Sequence, residues 1–492
     1  MFGKVLVANR GEIAVRVMRA LREMKIRSVA VYSEVDRGSL HVRMADEACF
    51  IGAAPSSESY LRGDKILEAA KKHGAEAIHP GYGFLSENAD FAAACEAAGI
   101  VFIGPPSSAI AKMGSKTSAR QLAKAAGTPI PPGTEEPLAN AGEALSIARE
   151  IGFPVILKAA AGGGGKGMRK VDREEDLEAA FRDASSEAER SFKDGAVYIE
   201  KFIVQPRHVE IQVLGDAFGH MIYLGERECS LQRRHQKVVE EAPSPFVSKV
   251  PGLREKMGAA AIAAAQAAGY VNAGTVEFLV DANAKFYFLE MNTRLQVEHP
   301  VTELITGLDL VQWQLRIAAG ERLSLQQGDV SLRGWAMECR LYAEDPDNGY
   351  VPSPGEITAL ALPSGPGIRL DSGVYPGWRV PFEYDPLLIK LAAWAGSREE
   401  VICRLERALS ETHIGGIRNN IEFFLDILGD AAFQAGELHT GFLEEWQQRR
   451  QRAPKATPEF VEAIAKLLVE KPKPSKTKVS LWKGRPSWTY NA

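Results

Sequence analysis

Long apolar runs are missing from this 492-residue chain, and no stretch approaches the ~20 residues that a membrane-spanning helix needs. The opening MFGKVLVANRGEIAVRV also lacks the extended apolar centre of a secretory signal. Cysteine is sparse: Cys49, Cys95, Cys229, Cys339 and Cys403 are scattered with no C-x-x-C pair. That excludes the common zinc frameworks and a disulfide-stapled scaffold, and points to the reducing cytoplasm. Positive charge is not in excess either. Lys and Arg number 59 against 63 Asp and Glu, a formal −4, so the balance does not argue for nucleic acid. What remains is ordinary for a soluble globular protein, 45% hydrophobic and 25% charged, at a length suited to about three domains.

The stretch that carries most chemistry lies near the middle, residues 274–300 (GTVEFLVDANAKFYFLEMNTRLQVEHP). Val276, Phe278 and Val280 alternate with Thr275, Glu277 and Leu279, and a second β-rich run covers 286–291. Two such runs split by a short turn predict an antiparallel hairpin. A turn centred on Asn283-Ala284 sets Glu277 opposite Glu290, with Asn292 on the same face. Like charges directly opposed destabilise a sheet. Two carboxylates and an amide oxygen suit a hard divalent cation such as Mg²⁺, commonly shared with substrate phosphates; a solvated hairpin face is the competing reading. Arg294, Gln296, Glu298 and His299 follow at once, and read as a reaction site beside a metal.

Ahead of the hairpin, residues 4–110 alternate strand and helix. Strand 4–8, a helix with Ile13, Val17, Leu21 and Met24 at helical spacing, strand 28–32, helix 60–73 and strand 77–79 are expected. Repeated βα units imply a parallel sheet with helices on both faces. The first turn, Asn9-Arg10-Gly11-Glu12, has no G-x-G-x-x-G, so a dinucleotide site is not expected. His79-Pro80-Gly81-Tyr82-Gly83 ends a strand where open α/β sheets place ligands, or is a plain turn. Prolines 129, 131, 132, 137 and 154 mark a change of module. A small α+β piece follows, with helix 141–151, strand 154–160, a glycine loop, strand 168–171, helix 174–186 and strand 196–201. Residues 202 to 446 form a larger mixed module with strands 208–214, 220–226 and 335–342 beside the hairpin. The tail from Arg449 holds 11 Lys/Arg against 3 Glu, with an amphipathic pattern at 458–469; it is a linker or docking segment, or a solvated end.

Three further clusters stand out. Residues 158–168, KAAAGGGGKGM, lead into a strand, and no Ser or Thr follows Gly-Lys, so this is neither a dinucleotide loop nor a Walker loop. Between two antiparallel strands the glycines make a flap able to close backbone N–H groups over nucleotide phosphates, with Lys158 and the upstream Lys116 supplying ammonium groups. Gln232, His235 and Lys237 fall within six residues, as a donor cluster or a surface charge run. Cys229 beside them is expected to pack, because no thiolate-stabilising partner adjoins it. Arg340 alternates with apolar neighbours on a strand and needs an anionic partner, in an ion pair or in a transition state.

Together these residues resemble the biotin carboxylase component of biotin-dependent carboxylases, an ATP-grasp family. KVLVANRGEIAVRV, HPGYGFLSEN, IGP, KAAAGGGGKGMR, HVEIQV, ERECSLQRRHQKVVEEAP, EMNTRLQVEHPVTE, ECRLYAEDP and YDPLLIKL carry the likeness, in family order over roughly residues 1–446. The fold implied is α/β and α+β multidomain. A Rossmann-like pre-ATP-grasp parallel sheet (1–113) and a connecting segment (114–130) precede a mobile ATP-grasp lid (131–203). A large ATP-grasp and C-terminal domain (204–446) and a basic tail (447–492) follow.

The resemblance assigns Lys116, Lys158, Gly163, Gly164, Gly165, Glu200 and His208 to ATP, Gln232 and His235 to its ribose, and Lys237 to the transferring phosphate. It assigns Glu277, Glu290 and Asn292 to Mg²⁺ (or Mn²⁺), and Glu298 as general base for bicarbonate. The bicarbonate pocket would be Lys237, Arg294, Gln296 and the Val297 backbone, with Arg340 on the biotin ureido oxygen. Ala160 stands where the family usually has serine, and Gly-Lys-Gly where it often has Gly-Arg-Gly, which keeps the positive charge. There is no biotin-accepting Ala-Met-Lys-Met and no length for a carboxyltransferase. Biotin is therefore expected on a separate carrier protein, and the further partner expected is a carboxyltransferase subunit. A homodimeric enzyme is implied, with no nucleic-acid or membrane partner. The alternatives are another ATP-grasp ligase, such as a carboxylase of purine synthesis or a carbamoyl-phosphate enzyme, or a silent scaffold in a carboxylase complex.

Overall fold

The computed structural model describes residues 1–134, 136–159, 168–192, 195–234 and 236–450. The chain divides into two compact units, Met1–Leu443 and Glu444–Ala492, and every described sheet lies in the first. Strands β1 (Lys4–Val7), β2 (Arg27–Ser33), β3 (Glu47–Gly52), β4 (Ala77–His79) and β5 (Val101–Phe102) form a wholly parallel sheet in the order β3-β2-β1-β4-β5. Val5, Leu6 and Val7 are fully buried, as strands covered on both faces require. The helix Gly11–Glu23 sets Ile13, Val17 and Leu21 on one face. They share a core with Leu214, Ile222 and Trp313 from much later in the chain. That common core joins the parallel sheet to the sheet bearing the site. The helix expected over 60–73 starts only at Gly63. Tyr60 is buried instead, donating to Asp36 Oδ2 at 2.7 Å, because a buried phenol needs a hydrogen-bond partner.

Strands β6 (Val155–Ala159), β7 (Met168–Val171) and β8 (Val197–Lys201) make a small antiparallel sheet, β7-β6-β8. Val155, Leu157, Val171 and Ile199 form its own core with Ala144 and Ala184 of the flanking helices. The helix expected over 174–186 is a 3-10 turn, Glu174–Asp176, followed by the helix Leu177–Phe192. The glycine loop with Gly163, Gly164 and Gly165, and the amphipathic pattern at 458–469, lie outside the described residues.

The site is borne by eight antiparallel strands, β9 (Arg207–Gly215), β10 (Met221–Arg233), β11 (Gln236–Ala242), β12 (Asn272–Val280), β13 (Phe286–Asn292), β14 (Trp335–Tyr342), β15 (Ile368–Ser372) and β16 (Leu387–Ala395). Their order is β13-β12-β9-β10-β11-β14-β16-β15. Strand β10 runs well past the expected 220–226. Glu226, Arg227 and Glu228 are all buried within it, and each has partners: Arg254 for Glu226, Glu210 for Arg227, and the Ser230 and Ser244 hydroxyls for Glu228. Charged residues so placed read as surface in the sequence, yet burial is tolerable once each is paired.

The β12–β13 hairpin pairs Thr275 with Asn292, Val276 with Met291 and Glu277 with Glu290, then Phe278 with Phe288. The two glutamates do face each other, but the turn is centred on Asn283 and not on Asn283-Ala284. Asp281 N–H donates to Lys285 O at 2.9 Å, and the Asp281 side chain accepts from the Asn283 and Lys285 N–H groups. From that turn alone Leu289 would meet Glu277. A β-bulge absorbs Leu289 and moves the register by one residue, which restores the acid pair. No helix among the described residues is long and apolar enough to cross a membrane.

Candidate functional site

Lys237 is the hub of the site. Its ammonium donates to Glu210 Oε2 at 2.5 Å, Glu298 Oε1 at 2.7 Å and Glu277 Oε1 at 2.8 Å. An ammonium has three donors, and here all three end on carboxylates. Arg227, wholly buried beneath them, donates to the other Glu210 oxygen and to Gln212, Thr275 and Thr302. Arg340 donates from Nη2 to Glu298 Oε2 at 2.9 Å, and the same nitrogen lies 2.5 Å from Glu240 Oε1.

These contacts set the charge states. Burial alone would push Glu298 up, but the Lys237, Arg340 and Arg227 charges outweigh it and hold the carboxyl well below its usual range. Glu277 is held down in the same way, against burial, by Lys237 and His208. Glu210 goes the other way, raised by burial and then by the Glu298 charge. Lys237 is raised well above a normal lysine: burial opposes its charge, and Glu210, Glu277 and Glu298 overcome that.

The segment after β13 packs onto this lattice. Asn292 Nδ2 and Gln296 Nε2 both donate to Glu277 Oε1, at 2.8 and 3.2 Å. Arg294 donates to Asn292 Oδ1 and Gln296 Oε1, each at 3.0 Å, and to Glu87 Oε2 at 2.9 Å. Glu87 arrives from the parallel-sheet region and also accepts the Thr293 N–H at 3.0 Å. Asn292 thus turns its NH₂, and not its oxygen, toward Glu277, a departure from the expected donor face. An ionised carboxylate accepts, so it draws the amide's donor while Arg294 takes the oxygen. The Val297 carbonyl accepts from the buried Lys390 at 2.8 Å.

Glu290 stands opposite Glu277, half-buried, without a hydrogen bond or ion pair among the described residues. Burial, then the Glu277 charge, raises its carboxyl. His208, Glu210 and Glu277 also bring ligand atoms within 4.8 Å of one another, but Lys237 and Arg227 already neutralise that inner side. The opposed pair Glu277–Glu290, with the Asn292 amide beside it, is the donor set that fits a hard divalent cation.

Lys158 and Arg120 both engage the Glu200 carboxylate. Burial, then the Arg120 and Lys116 charges, lowers the Lys158 ammonium to about 8. Lys116 opens the helix Lys116–Ala125 and is exposed; its charge also reaches Glu290. His208 joins the metal side and not the Lys158–Glu200 pair, its Nε2 lying 2.7 Å from Glu277 Oε2 while Gln232 Nε2 donates to Nδ1 at 2.6 Å. His235 lies outside the described residues. The Cys229 thiol is buried and pushed well up by burial and then Glu210, as a packing role requires.

Sequence models of the biotin carboxylase N-terminal and C-terminal domains match residues 1–110 and 338–445, and between them the carbamoyl-phosphate synthase L chain ATP binding domain matches 115–326. Over 447 residues the chain is 53% identical to biotin carboxylase 1 of Bacillus subtilis, covering 91% of this chain and 99% of that one. The chain belongs to the biotin carboxylase family. It is also 54% identical to a pyruvate carboxylase subunit of Methanothermobacter thermautotrophicus, over 91% of each chain. The biotin carboxylase domain dimer of the Hydrogenobacter thermophilus 2-oxoglutarate carboxylase, solved with MgADP, ADP and bicarbonate, matches with a TM-score of 0.85 at 48% identity. That match covers 92% of this chain and 99% of the other.

Of the positions that the biotin carboxylase resemblance singles out, Lys237, Glu277, Asn292, Arg294, Gln296, Glu298 and Arg340 meet in one hydrogen-bonded cluster. Glu210, Arg227, Glu240, Glu87 and Lys390 belong to it as well and escaped the sequence reading. A signal was there for Glu210: in HVEIQV, His208, Glu210 and Gln212 alternate with valine and isoleucine, a polar face on a strand that is buried throughout.

One consequence concerns Glu290. A carboxyl whose folded pKa is raised opposes folding once the pH is above that range, so its neutral isostere relieves the cost. Glu290→Gln is expected to stabilise the metal-free protein by about 0.5–1 kcal/mol at neutral pH and to remove the rise in melting temperature that Mg²⁺ with ADP confers on the wild type. Melting curves with and without Mg²⁺ check both; an undiminished Mg²⁺ response would rule Glu290 out as a ligand.

Proposed function

We propose that the chain catalyses the ATP-dependent carboxylation of biotin by bicarbonate, the first half-reaction of a biotin-dependent carboxylase, on biotin carried by a separate protein. The observation that carries this reading is Glu298, a buried carboxylate clasped between Lys237 and Arg340. Bicarbonate would take donors from Lys237, Arg294, Gln296 and the Val297 N–H. As those donors turn to the anion, Glu298 loses part of the cationic company that holds it down, and its basicity recovers where a proton must be accepted. Glu298 takes the bicarbonate proton while the bicarbonate oxygen attacks the γ-phosphate. Lys237 compensates charge on the phosphoryl oxygens, the main lever in phosphoryl transfer. Glu277, Glu290 and the Asn292 oxygen would hold Mg²⁺ or Mn²⁺, which adds to that compensation when bound. Carboxyphosphate then parts into CO₂ and phosphate, phosphate takes the biotin N1′ proton, and N1′ attacks CO₂ while Arg340 stabilises the ureido oxygen.

The nucleotide phosphates are assigned to Lys116, Lys158 and the loop with Gly163, Gly164 and Gly165, with residues 131–203 closing as a lid. Glu200 and His208 would line the same cleft, and Gln232 and His235 the ribose. The enzyme would be a cytoplasmic homodimer working with a biotin carrier protein and a carboxyltransferase subunit. One relative is described as part of a multisubunit carboxylase and another as a domain dimer, which supports that assembly, and five free thiols suit the compartment. ATP cleavage stimulated jointly by bicarbonate and free biotin, with no response to amines, tests the reading against other ATP-grasp ligases.

Three outcomes follow from the residue roles. Glu298→Gln is expected to lower bicarbonate-dependent ATP cleavage by about 10²-fold or more; activity near that of the wild type would remove Glu298 as the base. Arg340→Ala should lose about 10²–10³ in free-biotin carboxylation while bicarbonate-dependent ATPase partly survives, and equal loss of both would contradict its role. Lys158 carries its charge below about pH 8 and sheds it above. ADP affinity, by calorimetry, should therefore weaken as the pH rises through about 8, with proton uptake on binding, and Lys158→Arg should flatten that dependence.

A further inference from the structure

Lys390 is a fully buried lysine with 1% of its surface exposed, in the interior of the site-bearing sheet. In register it lies between Arg340 on β14 and Asp371 on β15. Lysine is almost never so buried without a partner, yet its two ion pairs are loose. Glu12 Oε2 is 3.4 Å away and Asp371 Oδ2 3.8 Å. Asp371 is already held by two Arg369 N–H groups, and neither Glu12 oxygen makes a hydrogen bond. The one short contact of the ammonium is to a neutral acceptor, the Val297 carbonyl at 2.8 Å.

That carbonyl belongs to the peptide group joining Val297 to Glu298. The preceding group, joining Gln296 to Val297, is pinned as well: the Gln296 carbonyl accepts from His299 N at 3.3 Å and lies 2.8 Å from His299 Nδ1. Because a carbonyl accepts, His299 presents Nδ1–H. Burial, then the Lys390, Arg369 and Arg16 charges, holds that ring neutral. A trans peptide is planar with N–H opposed to C=O. Fixing the Gln296 carbonyl on His299 therefore points the Val297 N–H away from His299, and fixing the Val297 carbonyl on Lys390 stops the chain from rotating about Val297.

We infer that Lys390 is a positioning residue of the bicarbonate pocket, holding the Val297 carbonyl so that the Val297 N–H and the Glu298 carboxylate keep their relative aim. This rests on the function proposed above, which places bicarbonate at Gln296, Val297 and Glu298. Glu12 and Asp371 balance the ammonium's charge in the buried sheet, and the carbonyl contact gives it direction.

The test uses the full chain and reads steady-state bicarbonate-dependent ATPase together with calorimetric ADP binding in Mg²⁺. Lys390→Met keeps the apolar stem and removes the donor. Its expected effect is a rise of about tenfold or more in KM for bicarbonate, a smaller loss in kcat, and ADP affinity within about twofold of the wild type. Should Lys390→Met fail to fold, Lys390→Met/Glu12→Gln, which also removes the carboxylate left without its cation, carries the same expectation. Glu12→Gln alone leaves the carbonyl contact and should keep the wild-type KM. An unchanged bicarbonate KM in a folded Lys390 variant overturns the inference. So does a fall in kcat and ADP affinity without a KM change, or a Glu12→Gln effect as large as that of Lys390→Met. Absence of bicarbonate-dependent ATPase in the wild type would instead sink the proposed function, a separable failure.

Discussion

Three carboxylates share one ammonium on a face from which water is largely removed, and the rest of the molecule answers to that constraint. Glu210, Glu277 and Glu298 could not stay ionised side by side without Lys237 among them, because like charges in a buried site raise one another's pKa. Lys237 in turn could not stay charged at such depth without them. The four groups are mutually obligatory, so the strands that bring them must hold their registers. Arg227, locked by four acceptors underneath, gives the lattice a floor that ties β9, β10 and β12 to the helix bearing Thr302.

Register control explains features that otherwise look incidental. The bulge at Leu289 decides that an acid, and not a leucine, meets Glu277. The chain leaving β13 is then bolted to a different sheet, since Glu87 holds both Thr293 and Arg294. The N-terminal parallel sheet is therefore more than a neighbouring layer: it supplies the anchor that aims Arg294 into the cluster, and its first helix supplies the Glu12 that faces Lys390.

Much of this was legible in the sequence. The alternation of Val276, Phe278 and Val280 with Glu277 specified the hairpin and its acid pair, since period two and a short turn leave few registers. The parallel sheet was legible from its βα rhythm. Other parts were hidden for physical reasons. Residues 226–228 read as surface because Glu-Arg-Glu has no apolar signal, and the partners that permit their burial come from elsewhere in the fold. Tyr60 read as helix by its position, and a long-range bond to Asp36 placed it in the core. The Asn292 orientation was beyond pattern reading, because which amide atom faces an acid depends on Arg294. Lys390 sits in an otherwise apolar strand, LLIKLAAWA, where a single charge is conspicuous, but only the Val297 contact says what it holds.

The carboxyls that remain raised identify where the site is unfinished. Once Lys237, Arg227 and Arg340 have been distributed, Glu277 and Glu298 lie low, while Glu210, Glu240 and Glu290 are pushed up, Glu240 to about 7. Glu240 and Glu210 each have a cation at hand and are raised first of all by burial. Glu290 is different: it is half-buried, it has no protein cation in contact among the described residues, and Glu277 stands directly across from it. A site assembled from protein charges alone would put an arginine or lysine there, as it does at every other carboxylate in the cluster. The gap in that pattern falls on the outer side of Glu277, facing Lys116 and away from Lys237, where a divalent cation bridging to phosphate oxygens would complete the balance that the side chains leave open.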